Sequence, residues 1–252
     1  MSGQILDQWL TAKKADVGRH ALSVMAEANG ARVKILDDLR LMVQDHYVAP
    51  DVTAKRIAEL GAPQTAELLR EHLPKSKKIR SGDLGEILAT EIAERHLGCI
   101  VPIRRLRWKD GRDMALRGDD LVGLRQGRKR KIQFLKGESK SRAQLAQDVI
   151  DEAANALDRD IGRPTRHSVL FIAERLREQG EDDLARELEQ AVLQSFQGYT
   201  VEHLLFALSG NNPESLLSQH LKECEKKKRR RHAVGVHISD HAAFIAEVFE
   251  AS

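Results

Sequence analysis

The segment 117–142 places the tightest limit on what this chain can fold into. It contains two runs of alternating apolar residues, joined by a short basic connection around Gly127, and this pattern predicts a β-hairpin. Side chains alternate faces along a strand, so Glu138 and Lys140 project from the same face of the second strand. If Asp120 faces them from the first strand, two carboxylates and an ammonium group meet at one place. Converging carboxylates repel each other unless a cation lies between them, and such oxygen ligands suit Mg²⁺.

The elements around this hairpin predict an α/β fold with a mixed sheet flanked by helices. The predicted core consists of a helix at 81–97, strands at 99–103, 114–124 and 131–140, a helix at 145–157 and a buried strand at 167–173. A C-terminal extension begins at about residue 178. It is predicted to contain a helix at 178–196, shorter helices at 201–208 and 213–224, a strand at 233–238 and a helix at 244–249.

The N-terminal region, residues 1–75, is predicted to be helical throughout, because apolar residues such as Leu22, Met25 and Leu39 recur at helical intervals. Nothing catalytic stands out in it. It is either a docking surface for a partner or a lid on the core. A polar linker at 75–78 precedes the second predicted domain, residues 76–252.

The distribution of charge says more than the net charge of +3. Basic residues greatly outnumber acidic ones between Arg104 and Arg142. A cationic field around a few acids favours a phosphodiester substrate, although a solvated charged turn has the same composition. The segment 226–231 consists only of lysine and arginine, and is either a solvated helix end or a contact for nucleic acid.

Several other classes of protein are excluded. No apolar run reaches the ~20 residues that cross a bilayer, and the N-terminus lacks the pattern of a signal peptide, so we expect a cytoplasmic protein with no membrane contact. Cys99 and Cys224 are expected to be free thiols. Cysteine and histidine residues do not show zinc-binding spacing. The glycines that a P-loop needs before its lysine are missing before Lys140.

Three short motifs occur in a characteristic order. They are Gly82-Asp83-Leu84-Gly85-Glu86, then Arg117-Gly118-Asp119-Asp120-Leu121-Val122-Gly123, then Lys136-Gly137-Glu138-Ser139-Lys140-Ser141-Arg142. Together they resemble the PD-(D/E)xK nuclease superfamily, in which an acid on a helix and an acid on a strand precede Glu-x-Lys on the next strand. The combination more specifically resembles the HamA family, the effector subunits of the Hachiman antiphage defence system, over roughly residues 80–175.

The resemblance implies a restriction-endonuclease-like core and a Mg²⁺-dependent deoxyribonuclease in which Mn²⁺ can substitute. It also implies a helicase partner, HamB, that holds the nuclease inactive until phage infection. Asp120 and Glu138 would bind the metal directly, and the carbonyl of Ser139 would add a third ligand. Glu86 would complete the site directly or through water. Lys140 would help to deprotonate the attacking water or stabilise the charge of the transition state.

The catalytic residues expected from this resemblance are therefore Glu86, Asp120, Glu138 and Lys140, with Asp120, Glu138, Ser139 and Glu86 as metal ligands. Among the basic residues, those expected to bind nucleic acid are Arg117, Arg128, Lys129, Arg130, Lys136 and Arg142. Two positions depart from the superfamily's usual pattern. Ser139 stands where an apolar residue is common, and Gly118 stands where a proline is common.

Other interpretations of these residues stay open. Asp119 rivals Asp120 as the strand acid, and Glu91 rivals Glu86 as the helix acid. Asp83 and Glu86 would also fit a helix capping box.

An ion pair between Glu138 and Lys140 on an exposed edge strand would have no catalytic role. The apolar residues before them favour a buried strand instead. The alternative functions are a non-catalytic DNA-binding or adaptor subunit, and a restriction or junction-resolving endonuclease.

Overall fold

A six-stranded mixed sheet lies at the centre of the described part of the chain, which is residues 2–127, 131–224 and 228–250 of a computed structural model. The strands are β1 (Leu10–Val17), β2 (His20–Glu27), β3 (Leu121–Gln126), β4 (Ile132–Arg142), β5 (Thr200–Ser209) and β6 (Arg231–His237), in the order β1-β2-β6-β5-β4-β3. The four central strands are parallel to one another, whereas β1 and β3 at the two edges are antiparallel to their neighbours.

Helices cover both faces of this sheet. They are α1 (Ser2–Trp9), α2 (Ala31–Tyr47), α3 (Pro50–Leu60), α4 (Ala62–His72), α5 (Lys77–Leu97), a 3₁₀ helix (Arg105–Trp108), α6 (Gln147–Gly162), α7 (Arg166–Glu178), α8 (Asp182–Leu193), α9 (Glu214–Glu223) and α10 (His241–Phe249). The helices α1, α2, α5 and α10 share a core with one face of the sheet. On the other face, α6 and α9 pack in one cluster and α7 and α8 in another. Because both faces are covered, β5 and β6 are buried along nearly their whole length.

The predicted hairpin at 117–142 is confirmed. The two strands pair from Leu121 opposite Gly137 to Gln126 opposite Ile132. The predicted helix at 81–97 is also confirmed, as α5, although it begins four residues earlier at Lys77. The first strand of the hairpin is shorter than the predicted 114–124, so Asp120 lies just before it. The strand predicted at 99–103 is wrong, since only one isolated bridge joins Ile100 to Leu124.

The prediction that residues 1–75 are helical throughout is wrong for residues 10–27, which form β1 and β2. The second of these strands is parallel to β6, with Leu22 opposite Ala233. Leu22 and Met25 stand three residues apart, a spacing that matches a helix, whereas their true partner strand is more than two hundred residues away in sequence. This N-terminal hairpin extends the same sheet that carries the hairpin at 117–142.

Two other segments have the opposite conformation from the one predicted. Residues 167–173, predicted to be a strand, belong to α7, where the hydroxyl of Thr165 caps the first turn by accepting the Ser168 N–H at 3.2 Å. Residues 201–208, predicted to be a helix, belong to β5 at the centre of the sheet. The predicted helix at 178–196 is divided between the end of α7 and α8. Short apolar runs suit a buried strand and a buried helix equally, which explains both errors.

The remaining C-terminal elements agree with the predictions. The helix predicted at 213–224 is α9, the strand at 233–238 is β6, and the last helix is α10. Cys99 and Cys224 are both buried and are not joined in a disulfide, as predicted. Across the described ranges, no helix combines the length and apolar character needed to span a bilayer.

Candidate active site

Asp120 lies where the pairing between β3 and β4 stops. The last pair joins Leu121 to Gly137, so β4 continues past the end of its edge neighbour. The side chain of Asp120 occupies the position that the missing strand would fill, and its Oδ2 accepts the backbone N–H of Ser139 at 2.9 Å. This hydrogen bond fixes the carboxylate beside the Glu-x-Lys sequence.

Glu138 and Lys140 form an ion pair within β4. The ammonium of Lys140 donates to Glu138 Oε1 at 2.9 Å and to Glu152 Oε1 of α6 at 3.0 Å. The side chains of Glu138 and Lys140 are only 15% and 12% exposed, although β4 has passed the end of β3 here and is paired with β5. The alternative that they form a pair on an exposed edge strand is therefore wrong.

Glu86 approaches the same region from α5. Its Oε2 lies 3.8 Å from the guanidinium of Arg105. The pKa of Glu86 is raised well above its ordinary value by burial and then by the neighbouring carboxylate of Asp120. Glu86 and Asp120 are therefore close enough to influence each other's charge.

The other interpretations of this helix do not fit the structure. Since α5 begins at Lys77, Asp83 lies inside the helix and cannot form a capping box with Glu86. Asp83 instead accepts hydrogen bonds from Tyr47 and from Lys109, at 2.5 and 2.7 Å. Glu91 is buried and bound to His46 at 2.7 Å and to Arg104, so it is engaged away from Asp120.

Asp119 and Asp120 have separate environments. Asp119 is 4% exposed; its Oδ2 accepts the Thr165 N–H at 2.6 Å and its Oδ1 lies 3.5 Å from Lys136 Nζ. Its contacts anchor this segment to the start of α7, whereas Asp120 contacts β4. The geometry favours Asp120 as the acid of the site.

Gly118 is explained by the same turn. Its φ of +97° lies in the left-handed region that favours glycine, and a Cβ there would collide with the hydroxyl of Ser168. Proline, with φ fixed near −65°, cannot adopt this conformation. The departure from the superfamily's usual proline therefore follows from the backbone conformation of this chain.

Burial raises the pKa of the acids of the site, and the carboxylate of Asp120 further raises the pKa of Glu86 and of Glu138. Burial raises the pKa of Asp120, against the lowering effect of the Ser139 N–H. Burial and the carboxylate of Asp120 raise the pKa of Glu138 to about 7. Burial acts to lower the pKa of Lys140, but its hydrogen bonds to Glu138 and Glu152 outweigh that effect and raise it. Lys140 therefore keeps its proton at neutral pH and contributes positive charge rather than a base.

The carboxylate and carbonyl oxygens at this site are of the kind that bind a hard cation such as Mg²⁺. Hydrogen bonds within the described residues engage Asp120 Oδ2 and Glu138 Oε1 but neither Asp120 Oδ1 nor Glu138 Oε2. In an extended strand the N–H and C=O of one residue point to the same edge, so the carbonyl of Ser139 faces the side on which Asp120 lies. Over the described ranges, no three carboxylate, histidine or cysteine side chains converge closely enough to hold a metal by themselves. A bound cation would need the carbonyl or water as a further ligand.

The family model for HamA matches residues 4–252, nearly the whole chain. The chain belongs to the HamA family. The Hachiman protein HamA of Bacillus cereus is 27% identical over 179 residues, which cover 70% of this chain and 62% of that protein. The resemblance that the motifs indicated over residues 80–175 is confirmed and extends over both terminal regions.

The basic residues predicted to bind nucleic acid divide into three groups in this HamA-family chain. Arg117 and Arg142 are exposed and accessible to a phosphate. The prediction for Lys136 requires correction, because this side chain is 2% exposed and its ammonium is held by Asp119 and by the Arg159 carbonyl. Arg128, Lys129 and Arg130 lie outside the described residues.

Sequence reasoning missed two charged residues of the site and the reason for one glycine. Arg105 contacts Glu86, and Glu152 contacts Lys140, but neither belongs to a motif. Gly85 packs α5 directly on β4, since a Cβ there would lie 2.7 Å from Ser139 Oγ. This close approach favours a small residue at Ser139, the position that departs from the superfamily's apolar preference.

Proposed function

We propose that this chain is a metal-dependent DNA nuclease that hydrolyses phosphodiester bonds. The observation that carries the proposal is the meeting of Asp120, Glu138 and Lys140, from two segments of the hairpin, at the open end of the β3–β4 ladder. Burial raises the pKa of both Asp120 and Glu138, and carboxyl groups whose pKa values are perturbed in this way are typical of functional sites.

Mg²⁺, or Mn²⁺ in its place, is the cation proposed for this site. Asp120, Glu138 and the carbonyl of Ser139 would bind it, and Glu86 would join them directly or through water. When bound, the metal would supply an activated water and charge stabilisation for phosphodiester hydrolysis. The chain's own contribution is to hold these oxygens in place on a rigid strand and a buried helix.

Lys140 is proposed to stabilise the negative charge that develops on the phosphate. Its ammonium is fixed by Glu138 and Glu152 at 2.9 and 3.0 Å, so it loses little conformational entropy when a substrate binds. Arg105, whose guanidinium lies 3.8 Å from Glu86, places a second positive charge beside the acids. Such preorganised charges act most strongly in sites from which water is partly excluded.

The arrangement of α5, β3, β4, α6 and β5 supports a restriction-endonuclease-like core for this domain. The chain order is a helix, two strands, a helix and, after α7 and α8, the strand β5, which takes the place of the strand predicted at 167–173. Asp120 lies just before the first of these strands and Glu138 and Lys140 lie on the second, which is the order of acids in the PD-(D/E)xK pattern.

We also propose that the chain acts in antiphage defence under the control of a helicase, HamB, in the cytoplasm. The relative described as a Hachiman protein supports this.

The docking surface proposed for the partner is formed by α2, α3 and α4, where Val33, Ile57 and Leu60 are 87%, 46% and 48% exposed. Loss of helicase co-purification in an Ile57→Asp, Leu60→Asp double variant that keeps its fold would support it.

The nuclease activity is tested with the purified full chain, Mg²⁺ and plasmid DNA. We expect cleavage by the wild type, none in EDTA, and none by Glu138→Gln or Lys140→Met. Asp183→Asn, at a side chain that is 96% exposed on α8, is the matched control and should cleave normally. Undiminished cleavage by both site variants would reject the assigned site.

A non-catalytic DNA-binding subunit is the second candidate. It is favoured by the lack of three converging ligand side chains within the described ranges. This function predicts that the chain retains DNA in EDTA and cleaves none with Mg²⁺ or Mn²⁺.

A further inference from the structure

A cavity of about 400 Å³ lies between the 3₁₀ helix, the segment 110–117 and the first turns of α7. It opens beside the acid cluster, which consists of Glu86, Asp120 and Glu138. Its volume lies in the range of small-molecule sites. Its lining is mainly apolar and includes Trp108, Met114 and Phe171. The function proposed above makes no use of these residues.

The cavity has an aromatic wall. The rings of Trp108 and Phe171 meet edge to face with 6.4 Å between their centroids, and the guanidinium of Arg175 lies 4.6 Å from the centre of the Trp108 ring. These contacts hold the indole in place, yet Trp108 remains 37% exposed and Met114 is 56% exposed. A rigid, accessible indole is a stacking surface for a flat aromatic ligand such as a nucleobase.

Two arginines line this cavity, and one of them, Arg105, also contacts an acid of the candidate site. Arg105 lines the cavity, lies 3.8 Å from Glu86 and donates to the backbone carbonyls of Arg117 and Asp119. Its guanidinium therefore lies between the cavity and the acids. Arg117 also lines the cavity and is exposed. A ligand with an aromatic ring and a neighbouring phosphate matches this combination of a stacking wall and guanidinium groups.

We propose that the cavity binds one unpaired nucleobase of the substrate strand, stacked on Trp108, with the adjoining phosphate against Arg105. This inference rests on the proposed nuclease function for the position of the scissile phosphate. A base inside a duplex is stacked and paired, so it must leave the duplex before it can enter a pocket. The substrate class is therefore DNA with unpaired bases, which are present in a single strand, at the frayed end of a duplex and in locally melted segments of a supercoiled plasmid.

The two tryptophans of the chain allow a direct measurement. Trp9 is fully buried and stacked on Phe244, so a ligand in solution reaches Trp108 alone. The full chain is titrated in EDTA with a single-stranded oligonucleotide, with an abasic oligonucleotide of equal length, and with a blunt duplex. We expect the first to quench tryptophan fluorescence and to bind most tightly, because it alone offers accessible bases.

Variants of the cavity lining test the stacking on Trp108. Trp108→Ala should weaken binding of the single strand by about 5- to 150-fold, which corresponds to ~1–3 kcal/mol of stacking at 1.4 kcal/mol per tenfold. Trp108→Phe should keep most of the affinity while losing the quenching. Met114→Glu places a carboxylate in the lining without removing a ring and should also weaken binding, which keeps the test valid if Trp108→Ala misfolds. Leu193→Ala, at a site 78% exposed on α8, should bind as the wild type does.

The proposal is overturned if abasic and base-bearing strands bind equally. It is also overturned if Trp108→Ala and Met114→Glu bind normally, or if none of the three nucleic acids binds. These measurements are made without metal and do not depend on cleavage. Binding that depends on Trp108, together with no cleavage in Mg²⁺, would reject the nuclease function and leave the base-binding cavity supported.

Discussion

The carboxylates of Asp119 and Asp120 are adjacent in sequence but are held by different elements. Asp119 accepts the Thr165 N–H at the start of α7 at 2.6 Å, whereas Asp120 accepts the Ser139 N–H of β4 at 2.9 Å. The first is buried with Lys136. The second faces Glu86 and Glu138, whose pKa values it raises. One acid therefore supports the fold and the other belongs to the proposed site.

This difference predicts opposite effects of the two amide substitutions. Asp119→Asn leaves the buried ammonium of Lys136 without a charged partner and should lower the free energy of unfolding by roughly 3 kcal/mol. Asp120→Asn keeps an acceptor for Ser139, so its stability should stay within about 1 kcal/mol of the wild type, while DNA cleavage falls by about 100-fold or more. Urea unfolding and a plasmid assay measure the two effects. Equal loss of stability in both variants would contradict this division of roles.

Metal binding can be measured without reference to cleavage. If Asp120 and Glu138 hold Mg²⁺, a concentration near 100 times Kd stabilises the folded chain by about 2.7 kcal/mol. For a chain of this size, that raises Tm by roughly 5–10 °C. Asp120→Asn and Glu138→Gln should show a much smaller shift, and Asp183→Asn should match the wild type. A full shift in both site variants would mean that the cation binds elsewhere.

The sequence predicted the hairpin that carries the candidate residues better than it predicted the rest of the sheet. Glu138 and Lys140 lie on a strand with a clear alternation and a glycine-containing turn, so local patterns were sufficient. The strand β2, at 20–27, pairs with β6 near the other end of the chain, and no local pattern encodes that pairing. The run at 201–208 is apolar on both faces because helices cover both sides of β5, which removes the alternation that distinguishes a strand.

The choice between Asp119 and Asp120 illustrates a further limit. Adjacent acids fit the same motif equally well, so the sequence could not distinguish Asp119 from Asp120. In the structure they follow the turn at Gly118, which has a positive φ, and one side chain contacts α7 while the other contacts β4. Glu152 gave no signal either, because it belongs to an ordinary helix and meets Lys140 only through tertiary packing.

The contact between α5 and β4 predicts a compensating pair of substitutions. Gly85→Ala places a Cβ 2.7 Å from Ser139 Oγ and 3.4 Å from Ser141 Cβ, and this overpacking should cost about 1–3 kcal/mol of stability. Ser139 Oγ is buried and has no hydrogen-bond partner among the described residues, so Ser139→Ala should be neutral or stabilising. The double variant should recover most of the loss, as measured by urea unfolding.

Gly82→Ala is the matched control on the same helix. Within the described part of the chain, nothing beyond the adjoining residues and backbone of α5 lies within 4 Å of a Cβ at Gly82, so this variant should gain about 0.5–1 kcal/mol from the higher helix propensity of alanine. If the Gly85→Ala, Ser139→Ala double variant is no more stable than Gly85→Ala alone, the clash is not with the Ser139 hydroxyl.

His203 should make the fold sensitive to acid. It is 2% exposed; its Nε2 donates to the Gly162 carbonyl at 2.9 Å, and its Nδ1 lies 3.2 Å from Arg231. Burial lowers its pKa from an ordinary 6.5 to about 4. Between about pH 6.5 and 4, His203 is therefore protonated in the unfolded chain but not in the folded chain. The stability linked to His203 is fully present above pH 6.5, and is lost as the pH falls towards 4, by roughly 3 kcal/mol in total.

His203→Gln tests this linkage, because glutamine can still donate to the Gly162 carbonyl but does not titrate. The variant should be less stable than the wild type at pH 7 and should lose less stability between pH 6.5 and 4. Urea unfolding of both proteins across that window gives the difference in free energy directly, and titration of the other groups cancels in the comparison. If the two curves run parallel from pH 6.5 to 4, the acid sensitivity arises from other residues.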